Sequence, residues 1–291
     1  MIGVFDSGVG GLVILRELDK AFPEYDFVYL GDTLHTPYGN KSPELVFEYT
    51  LKAVEHLFGR GCELVILACN TASAVALRRI QHEILPVKYP SKRVLGILVP
   101  TVEQVTGVNW IPEIQTPAST GEPIEPVDTV AVFATAGTVR SHAYANEIKK
   151  RQPLMNVFEI ACPNLATMIE QGEGEPAMAR EISGGVEELK KVMGSEFPPE
   201  AVLLGCTHFP LVHHLFVKAL PAGVHIYDQG QMVARSLATY LEQHPEIDAR
   251  LGKTGERIFL TTGDPVAMTE LAEPFYGKRE EYERITLMTA L

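Results

Sequence analysis

The sequence predicts an α/β protein made of two similar units, each a parallel sheet with helices on both faces, that face each other across a central cleft. Short apolar runs, such as those at 27–30, 64–68 and 201–204, are typical of buried parallel strands. These runs alternate with amphipathic helical patterns. The runs at 65–67 and 202–204 lead in the same way through a small residue to a cysteine, Cys69 or Cys206, and then to polar residues.

The first part of the chain alternates regularly between the two kinds of element. We predict strands at 2–5, 27–30, 64–68 and 93–98, and helices at 12–22, 43–58 and 71–84. The helix at 43–58 has Ser42 as a good N-cap and Pro43 at its first position. The glycine-rich turn at 8–11 permits a sharp change of direction before the first helix.

The pattern starts again after residue 128. Strands are predicted at 130–133, 156–160 and 201–204, with helices from about 141, from 162 through Glu170, and at 177–193. The last part adds strands at 224–227 and 258–261 and helices at 231–243 and 266–276, which we expect to complete the first unit. We therefore assign 1–98 plus 211–291 to the first unit and 99–210 to the second.

One segment does not fit this alternation. Residues 108–127 contain four prolines and no periodicity, so we predict an exposed loop or an insertion there. The two units otherwise resemble each other, since Phe5 aligns with Phe133 and Cys69 with Cys206 at similar offsets. This similarity indicates a duplicated α/β unit.

Composition limits the classes of function. The net charge of −12 disfavours nucleic acid as a primary ligand, because such ligands need a basic surface. No apolar run approaches the roughly 20 residues that a bilayer crossing needs, and no signal peptide is visible, so we expect a cytoplasmic protein without membrane contact. The four cysteines are too widely spaced for a disulfide framework, and we expect Cys62 and Cys162 to be buried structural thiols.

The paired cysteines predict acid–base chemistry. A thiolate at the start of a helix is stabilised by free amides and the helix dipole, and Cys69 and Cys206 both follow strands at such positions. Two thiols on opposite sides of a ligand can remove a proton from one face of a carbon and deliver one to the other. The sequence therefore predicts a two-base racemase or epimerase. No feature marks a pyridoxal-binding lysine, so we expect no cofactor.

Several short segments together carry a resemblance to a known family. They are Asp6-Ser7-Gly8-Val9-Gly10-Gly11, Gly31-Asp32-Thr33, Pro37-Tyr38-Gly39, Ala68-Cys69-Asn70-Thr71-Ala72, Ala134-Thr135-Ala136-Gly137-Thr138, Gly205-Cys206-Thr207-His208-Phe209-Pro210 and Thr261-Thr262-Gly263-Asp264. In this order, over nearly the whole chain, they resemble bacterial glutamate racemases, which belong with aspartate racemases to a cofactor-independent family. The resemblance implies interconversion of L- and D-glutamate, supply of D-glutamate for peptidoglycan, and a homodimer.

The resemblance also implies roles for single residues. Cys69 and Cys206 would be the acid–base thiols, with Asp6 assisting Cys69, and Glu170 and His208 assisting Cys206. Substrate binding would fall to Asp6, Ser7, Tyr38, Gly39, Asn70, Thr71, Thr135, Thr138, Thr207 and His208. Asp32 would join the same polar network. We expect no metal site, because His208, His213 and His214 with Cys206 fit no common zinc spacing.

Other functions remain open on the sequence. The substrate would be aspartate or a related amino acid if the pocket were of different length. A thiol hydrolase would use Cys69 as nucleophile and His208 as base. A non-catalytic regulatory protein would keep the fold without turnover. The segment 108–127 is longer than the usual link in the resembled family, and we do not expect the N-terminal extension that some of its members carry.

Overall fold

The computed structural model describes residues 1–108, 127–227 and 229–287. The strands in these ranges are β1 (Ile2–Asp6), β2 (Phe27–Gly31), β3 (Leu64–Leu67), β4 (Arg93–Gly96), β5 (Thr129–Ala134), β6 (Asn156–Ala161), β7 (Ala201–Gly205), β8 (His225–Tyr227), β9 (Arg257–Thr261) and β10 (Glu283–Arg284). They alternate with helices along most of the chain, which confirms the predicted α/β class.

The α-helices are α1 (Leu12–Ala21), α2 (Pro43–Gly59), α3 (Asn70–Arg79), α4 (Leu85–Lys88), α5 (Leu98–Thr106), α6 (Ala136–Ser141), α7 (Ala143–Arg151), α8 (Leu165–Glu170), α9 (Glu175–Met193), α10 (His213–Ala219), α11 (Gly230–Gln243), α12 (Pro245–Asp248) and α13 (Pro265–Tyr276). A π-helical turn (Ile80–Ile84) joins α3 to α4. No helix within the described ranges combines the length and the apolar character that crossing a bilayer requires.

The strands form two parallel sheets. The first has six strands in the order β10-β9-β2-β1-β3-β4, and the second has four in the order β6-β5-β7-β8. Neighbouring strands are parallel throughout both sheets. Every residue of β1, β2, β3 and β7 is buried, as expected for strands that helices cover on both faces. The two-sheet architecture predicted from the sequence is therefore present.

Local sequence explains where the helices begin. The Ser42 hydroxyl accepts the backbone N–H of Leu45, and Pro43 is the first residue of α2, as predicted. Thr135 caps α6 in the same way by accepting the N–H of Thr138 at 3.3 Å. Because of this cap the chain becomes helical at Ala136, earlier than the predicted start near 141.

The expectation that the strand near 224–227 completes the first unit is wrong. This strand, β8, pairs with β7 in the second sheet, with Ala201 opposite His225 and Leu203 opposite Tyr227. β9, by contrast, pairs with β2 in the first sheet, as expected. The remaining division of the chain into units stays a prediction. Most of the predicted loop at 108–127 lies outside the described residues.

In both sheets, the carboxyl ends of the strands lead to the predicted site residues. In the first sheet, β1 and β3 end at Asp6 and just before Cys69; in the second, β5 and β7 end just before Thr135 and Cys206. In parallel α/β sheets, ligands bind beyond the carboxyl ends of the strands. The fold therefore gathers the predicted site residues into one region between the two sheets.

Candidate active site

Cys69 occupies the N-cap position of α3. Its Sγ accepts the backbone N–H of Ala72 at 3.4 Å and lies 3.3 Å from Oγ of Ser7. The thiol is buried, and burial together with the negative charge of Asp6 raises the pKa of Cys69 to about 12, although its two hydrogen bonds act in the opposite direction. At neutral pH, Cys69 is therefore a protonated thiol.

Cys206 follows β7 and has its own acid–base partners. Its Sγ lies 3.7 Å from Nδ1 of His208, and Nε2 of the same ring lies 2.7 Å from Oε1 of Glu170. Burial alone would lower the pKa of His208, but the interactions with Cys206 and Glu170 outweigh it and raise this pKa well above its ordinary value. The result is a relay from carboxylate through imidazole to thiol.

Asp6 is the carboxylate on the Cys69 side. It is buried at the end of β1, and its Oδ2 accepts the N–H of Gly8 at 2.8 Å. Oδ1 is buried and has no hydrogen-bond partner among the described residues. Burial raises the pKa of Asp6, while the positive charge of His208 acts in the opposite direction. A buried carboxylate oxygen without a partner is costly, and a proton or a cationic ligand group would relieve that cost.

The turn after β1 touches the second unit directly. A Cβ at Gly10 would lie 2.3 Å from Oγ1 of Thr207 and 2.5 Å from the ring of His208, so only glycine fits there. A Cβ at Gly8 would lie 3.1 Å from Oε1 of Glu170. The first unit thus approaches the Cys206 side of the site at Gly8 and Gly10, which have no side chains to block it.

Threonine hydroxyls join the two units on the Cys69 side. Oγ1 of Thr71 lies 2.9 Å from that of Thr135 and 3.2 Å from that of Thr138, and the last two are 3.1 Å apart. We call these residues the threonine ring. Gly39 lies against it, since a Cβ there would be 2.9 Å from Cβ of Thr135. Thr71, Thr135, Thr138 and Gly39 therefore meet, as the resemblance implied.

Tyr38 and Asp32 form a buried pair beside the ring. The Tyr38 hydroxyl donates to Oδ2 of Asp32 at 2.6 Å, and the Thr262 hydroxyl donates to Oδ1 at 2.6 Å. His35 also lies against this carboxylate, with Nδ1 2.8 Å from Oδ1. Burial and the charge of Asp32 raise the pKa of Tyr38 far above its ordinary value, so its hydroxyl keeps its proton. Asp32 thus holds the turn that carries Tyr38 and Gly39.

Asn70 differs from the expectation that its side chain faces a substrate. Its Nδ2 donates to Oε1 of Gln229 at 2.6 Å, and its Oδ1 accepts from the Tyr144 hydroxyl at 2.5 Å. Both polar atoms of the Asn70 amide are therefore already engaged within the protein. A substrate-binding role for Asn70 stays a prediction.

The sequence analysis assigned no role to Gln229, Tyr144, His35 or Thr262, although Thr262 lies in one of the segments that carry the resemblance. Gln229 and Thr262 follow strands β8 and β9, so their position beyond a carboxyl end was a usable signal. Tyr144 lies within α7 and His35 in the loop after β2, and nothing in the local pattern distinguishes them. Their partners come from distant parts of the chain.

The fold and the site define a class of protein: a two-sheet α/β protein in which two buried thiols lie between two facing units, one influenced by the charge of Asp6 and the other beside His208, which Glu170 holds. This arrangement suits proton transfer to and from one carbon atom. No protein-family model matches the chain. Individual proteins, in contrast, match over nearly the full length.

A glutamate racemase from Phenylobacterium zucineum is 44% identical over 286 residues, covering 97% of this chain and 99% of that protein. The crystal structure of a glutamate racemase isoform from Bacillus anthracis superposes with a TM-score of 0.82 at 28% identity, covering 99% of this chain and 97% of that one. A Francisella tularensis glutamate racemase in complex with D-glutamate gives a TM-score of 0.80 at 27% identity, over 98% and 97% of the two chains. The chain therefore belongs to the glutamate racemase family, whose members are isomerases.

Proposed function

We propose that the chain interconverts L- and D-glutamate by proton transfer between the substrate α-carbon and two thiols, Cys69 and Cys206. The observation that carries this proposal is the pairing of each buried thiol with its own acid–base group, Asp6 on one side and His208 with Glu170 on the other. The relatives and structural neighbours named glutamate racemase support the choice of substrate.

The proton balance closes within one turnover. One thiolate takes the α-proton, so that a C–H bond breaks and an S–H bond forms, and the α-carbon becomes a carbanion stabilised by its carboxylate. The opposite thiol then gives its proton to the other face and becomes the thiolate. The enzyme therefore ends with its proton on the other sulfur, and proton exchange of the two sulfurs with solvent after product release restores the starting state. No cofactor takes part in this scheme.

The two sides of the site differ before substrate binds. Burial and Asp6 hold the proton on Cys69, whose pKa is raised to about 12. On the other side, Nδ1 of His208, whose own pKa is raised well above its ordinary value by Cys206 and Glu170, lies 3.7 Å from Sγ of Cys206. We infer that the Cys69 side holds its proton on the sulfur, while the Cys206 side has the imidazole of His208 as its acid–base partner.

The same geometry weighs against the hydrolase alternative. That reading pairs Cys69 with His208, but His208 lies against Cys206 and Glu170. Cys69 instead contacts Ser7 and the amide of Ala72. We therefore propose the racemase, with D-glutamate serving peptidoglycan synthesis. A homodimer and a cytoplasmic location stay predictions.

The test is hydrogen exchange without added cofactor. Purified protein is incubated with D-glutamate in D2O, while circular dichroism follows optical activity and NMR follows the α-proton. We expect the optical signal to decay to zero as deuterium enters the α-position. Cys69→Ala and Cys206→Ala should each lower racemisation by at least about 10³-fold, since removing an acid–base group typically costs 10²–10⁴. Cys62→Ala, a buried thiol outside the site, serves as the control.

Each other outcome has a defined meaning. Full activity of Cys206→Ala refutes the two-thiol mechanism. Exchange with aspartate but not glutamate keeps the mechanism and replaces the substrate. A covalent adduct on Cys69 during turnover supports the hydrolase instead. Binding of glutamate without any exchange supports the non-catalytic alternative.

A further inference from the structure

A buried polar cluster lies behind Cys69, outside the two thiol pairs. It consists of Asn70, Thr101, Tyr144 and Gln229, and we call it the amide clamp. All four residues are at most 3% exposed. Asn70 lies on α3, Thr101 on α5 and Tyr144 on α7, and Gln229 directly precedes α11. The clamp therefore connects the start of α3, the helix that follows Cys69, to three other segments of the chain.

The donors and acceptors of the clamp determine the orientation of both amide groups. The Thr101 hydroxyl donates to the carbonyl of Ile97 at 2.6 Å, and the Tyr144 hydroxyl donates to Oδ1 of Asn70. Both hydroxyl oxygens are thus left as acceptors for Nε2 of Gln229, at 2.9 and 2.7 Å. Oε1 of Gln229 must therefore face Nδ2 of Asn70, 2.6 Å away.

One hydrogen bond joins the Asn70 and Gln229 amides, from Nδ2 of Asn70 to Oε1 of Gln229. Nε2 of Gln229 also lies 3.2 Å from Oδ1 of Asn70, but its two hydrogens are directed to the hydroxyl oxygens of Thr101 and Tyr144. Every polar side-chain atom of the clamp has a partner, and breaking the set would leave buried polar groups unpaired. Fully satisfied buried networks of this kind select one arrangement and make the surrounding structure rigid.

We propose that Gln229 is a positioning residue for proton transfer, acting through Asn70 on the first turn of α3. Asn70 directly follows Cys69, and the next residue, Thr71, belongs to the threonine ring. Fixing the Asn70 side chain therefore fixes the backbone that aims Sγ of Cys69. Gln229 does not touch the thiol, so it acts only by holding this turn. This inference rests on the proposed function for its catalytic readout.

The physical reason is the distance sensitivity of proton transfer. Reacting atoms must lie about 3–3.5 Å apart, and a displacement of about 1 Å costs about 10²-fold in rate. The N–H of Ala72 and Oγ of Ser7 alone hold Cys69 from the sulfur side, at 3.4 and 3.3 Å. The clamp holds the same turn from its other side, through a residue that the chain supplies about 160 positions later.

The first test is a double-mutant cycle on glutamate racemisation. Gln229→Met keeps the side-chain length and removes both polar atoms; we expect kcat to fall about 10- to 100-fold, with KM changed less than about threefold. Asn70→Ala should cost at least as much. If Gln229 acts through Asn70, the double variant should be no slower than the slower single variant. Losses that multiply in the double variant would overturn the proposal, as would a normal kcat for Gln229→Met.

A matched control separates positioning from general stability. Thr106 also lies on α5 and donates to the carbonyl four residues before it, at 2.7 Å, but it is not part of the clamp. Thr106→Val should lower the melting temperature while kcat stays within about twofold. If Gln229→Met fails to fold, Tyr144→Phe replaces it, because this variant removes only the hydroxyl that donates to Asn70. We expect the same KM-against-kcat pattern from it.

A second readout does not depend on turnover. Iodoacetamide alkylation of each cysteine is followed by mass spectrometry of the free enzyme. Gln229→Met, which breaks the clamp, should speed alkylation of Cys69 several-fold. It should leave the alkylation rate of Cys206 within about twofold of the wild-type rate. Equal acceleration at both thiols, or none at Cys69, would contradict the proposal. If the wild-type protein does not exchange the α-proton of glutamate, the proposed function fails, while this experiment still decides the role of the clamp.

Discussion

The carboxylate of Glu170 lies 2.7 Å from Nε2 of His208, while the other nitrogen of the ring lies 3.7 Å from Sγ of Cys206. Both ring nitrogens are thus engaged by groups that favour a proton on each. His208 is buried, and burial opposes its charge, but its interactions with Cys206 and Glu170 outweigh this and favour the imidazolium. Glu170 therefore controls the charge next to Cys206 without touching the sulfur.

Glu170→Gln should move the alkaline limit of activity. The pKa of His208 is raised in the folded protein, so its stabilising contribution is complete below the ordinary pKa near 6.5 and is lost as the pH rises through the folded value. Removing the carboxylate charge lowers that folded pKa. We expect the alkaline limb of kcat/KM to shift to lower pH, as measured by rate profiles in both directions of racemisation. An unchanged alkaline limb would show that His208 charge is not needed.

Gly10→Ala should disrupt the contact between the two units. The added methyl would lie 2.3 Å from Oγ1 of Thr207 and 2.5 Å from His208, so these groups must move. We expect a loss of about 10²-fold in kcat/KM from the displacement and about 1–3 kcal/mol of stability from overpacking. Gly184→Ala is the control, since nothing lies within 4 Å of its Cβ. Steady-state kinetics and denaturant unfolding measure both effects, and normal kinetics for Gly10→Ala would contradict the described contact.

Asp6→Asn should speed the alkylation of Cys69 and slow racemisation. After burial, the charge of Asp6 is the largest contribution that raises the pKa of Cys69. Removing this charge lowers the thiol pKa, so alkylation of Cys69 at pH 8 should become faster. Racemisation should slow by 10²-fold or more, because the assisting carboxylate is lost. Slower alkylation together with slower turnover would point to a collapsed site instead of a lost charge.

Asp26→Asn should lower stability in a pH-dependent way. Burial would raise the pKa of Asp26, but the backbone N–H groups of Glu256 and Thr254, each about 3 Å from Oδ1, lower it. A depressed pKa gives stability that is present above the ordinary value near 3.8 and is lost as the pH falls through the folded value. We expect a loss of about 1–2 kcal/mol at pH 7.

That difference between wild type and Asp26→Asn should close as the pH falls below the ordinary pKa. Urea unfolding at pH 7 and at acid pH measures it. Asp128→Asn, at an exposed position before β5, is a suitable control and should change stability by less than about 0.5 kcal/mol. A difference that is independent of pH would assign the effect to packing instead of charge.

The sequence predicted the parts of the site that repeat a local pattern. Cys69 and Cys206 each follow an apolar run and precede polar residues. The position of both thiols after the end of a strand could therefore be predicted from the sequence. The sheet to which β8 belongs could not be predicted from the sequence, because a strand of three residues carries no local information about the strand it pairs with. Strand pairing is decided by contacts between distant segments.

The same limit explains why the partners of Asn70 were missed. Its neighbours in sequence predicted a substrate contact, whereas its side chain meets Gln229 and Tyr144, which lie 159 and 74 positions away along the chain. The position of Gln229 after a strand places it at the edge of a sheet, but it does not show which side chain it meets. Only the folded arrangement shows that this amide completes a buried set of hydrogen bonds.

The threonine ring has a consequence for the order of events when a ligand arrives. Three hydroxyls at the corners of a closed triangle, 2.9 to 3.2 Å apart, have one hydrogen for each edge, so they satisfy one another and offer no spare donor. An incoming carboxylate can be held there only if it takes over at least one of these edges, and two of the edges join the units. Binding of a carboxylate there and loosening of the contact between the two units are then one event.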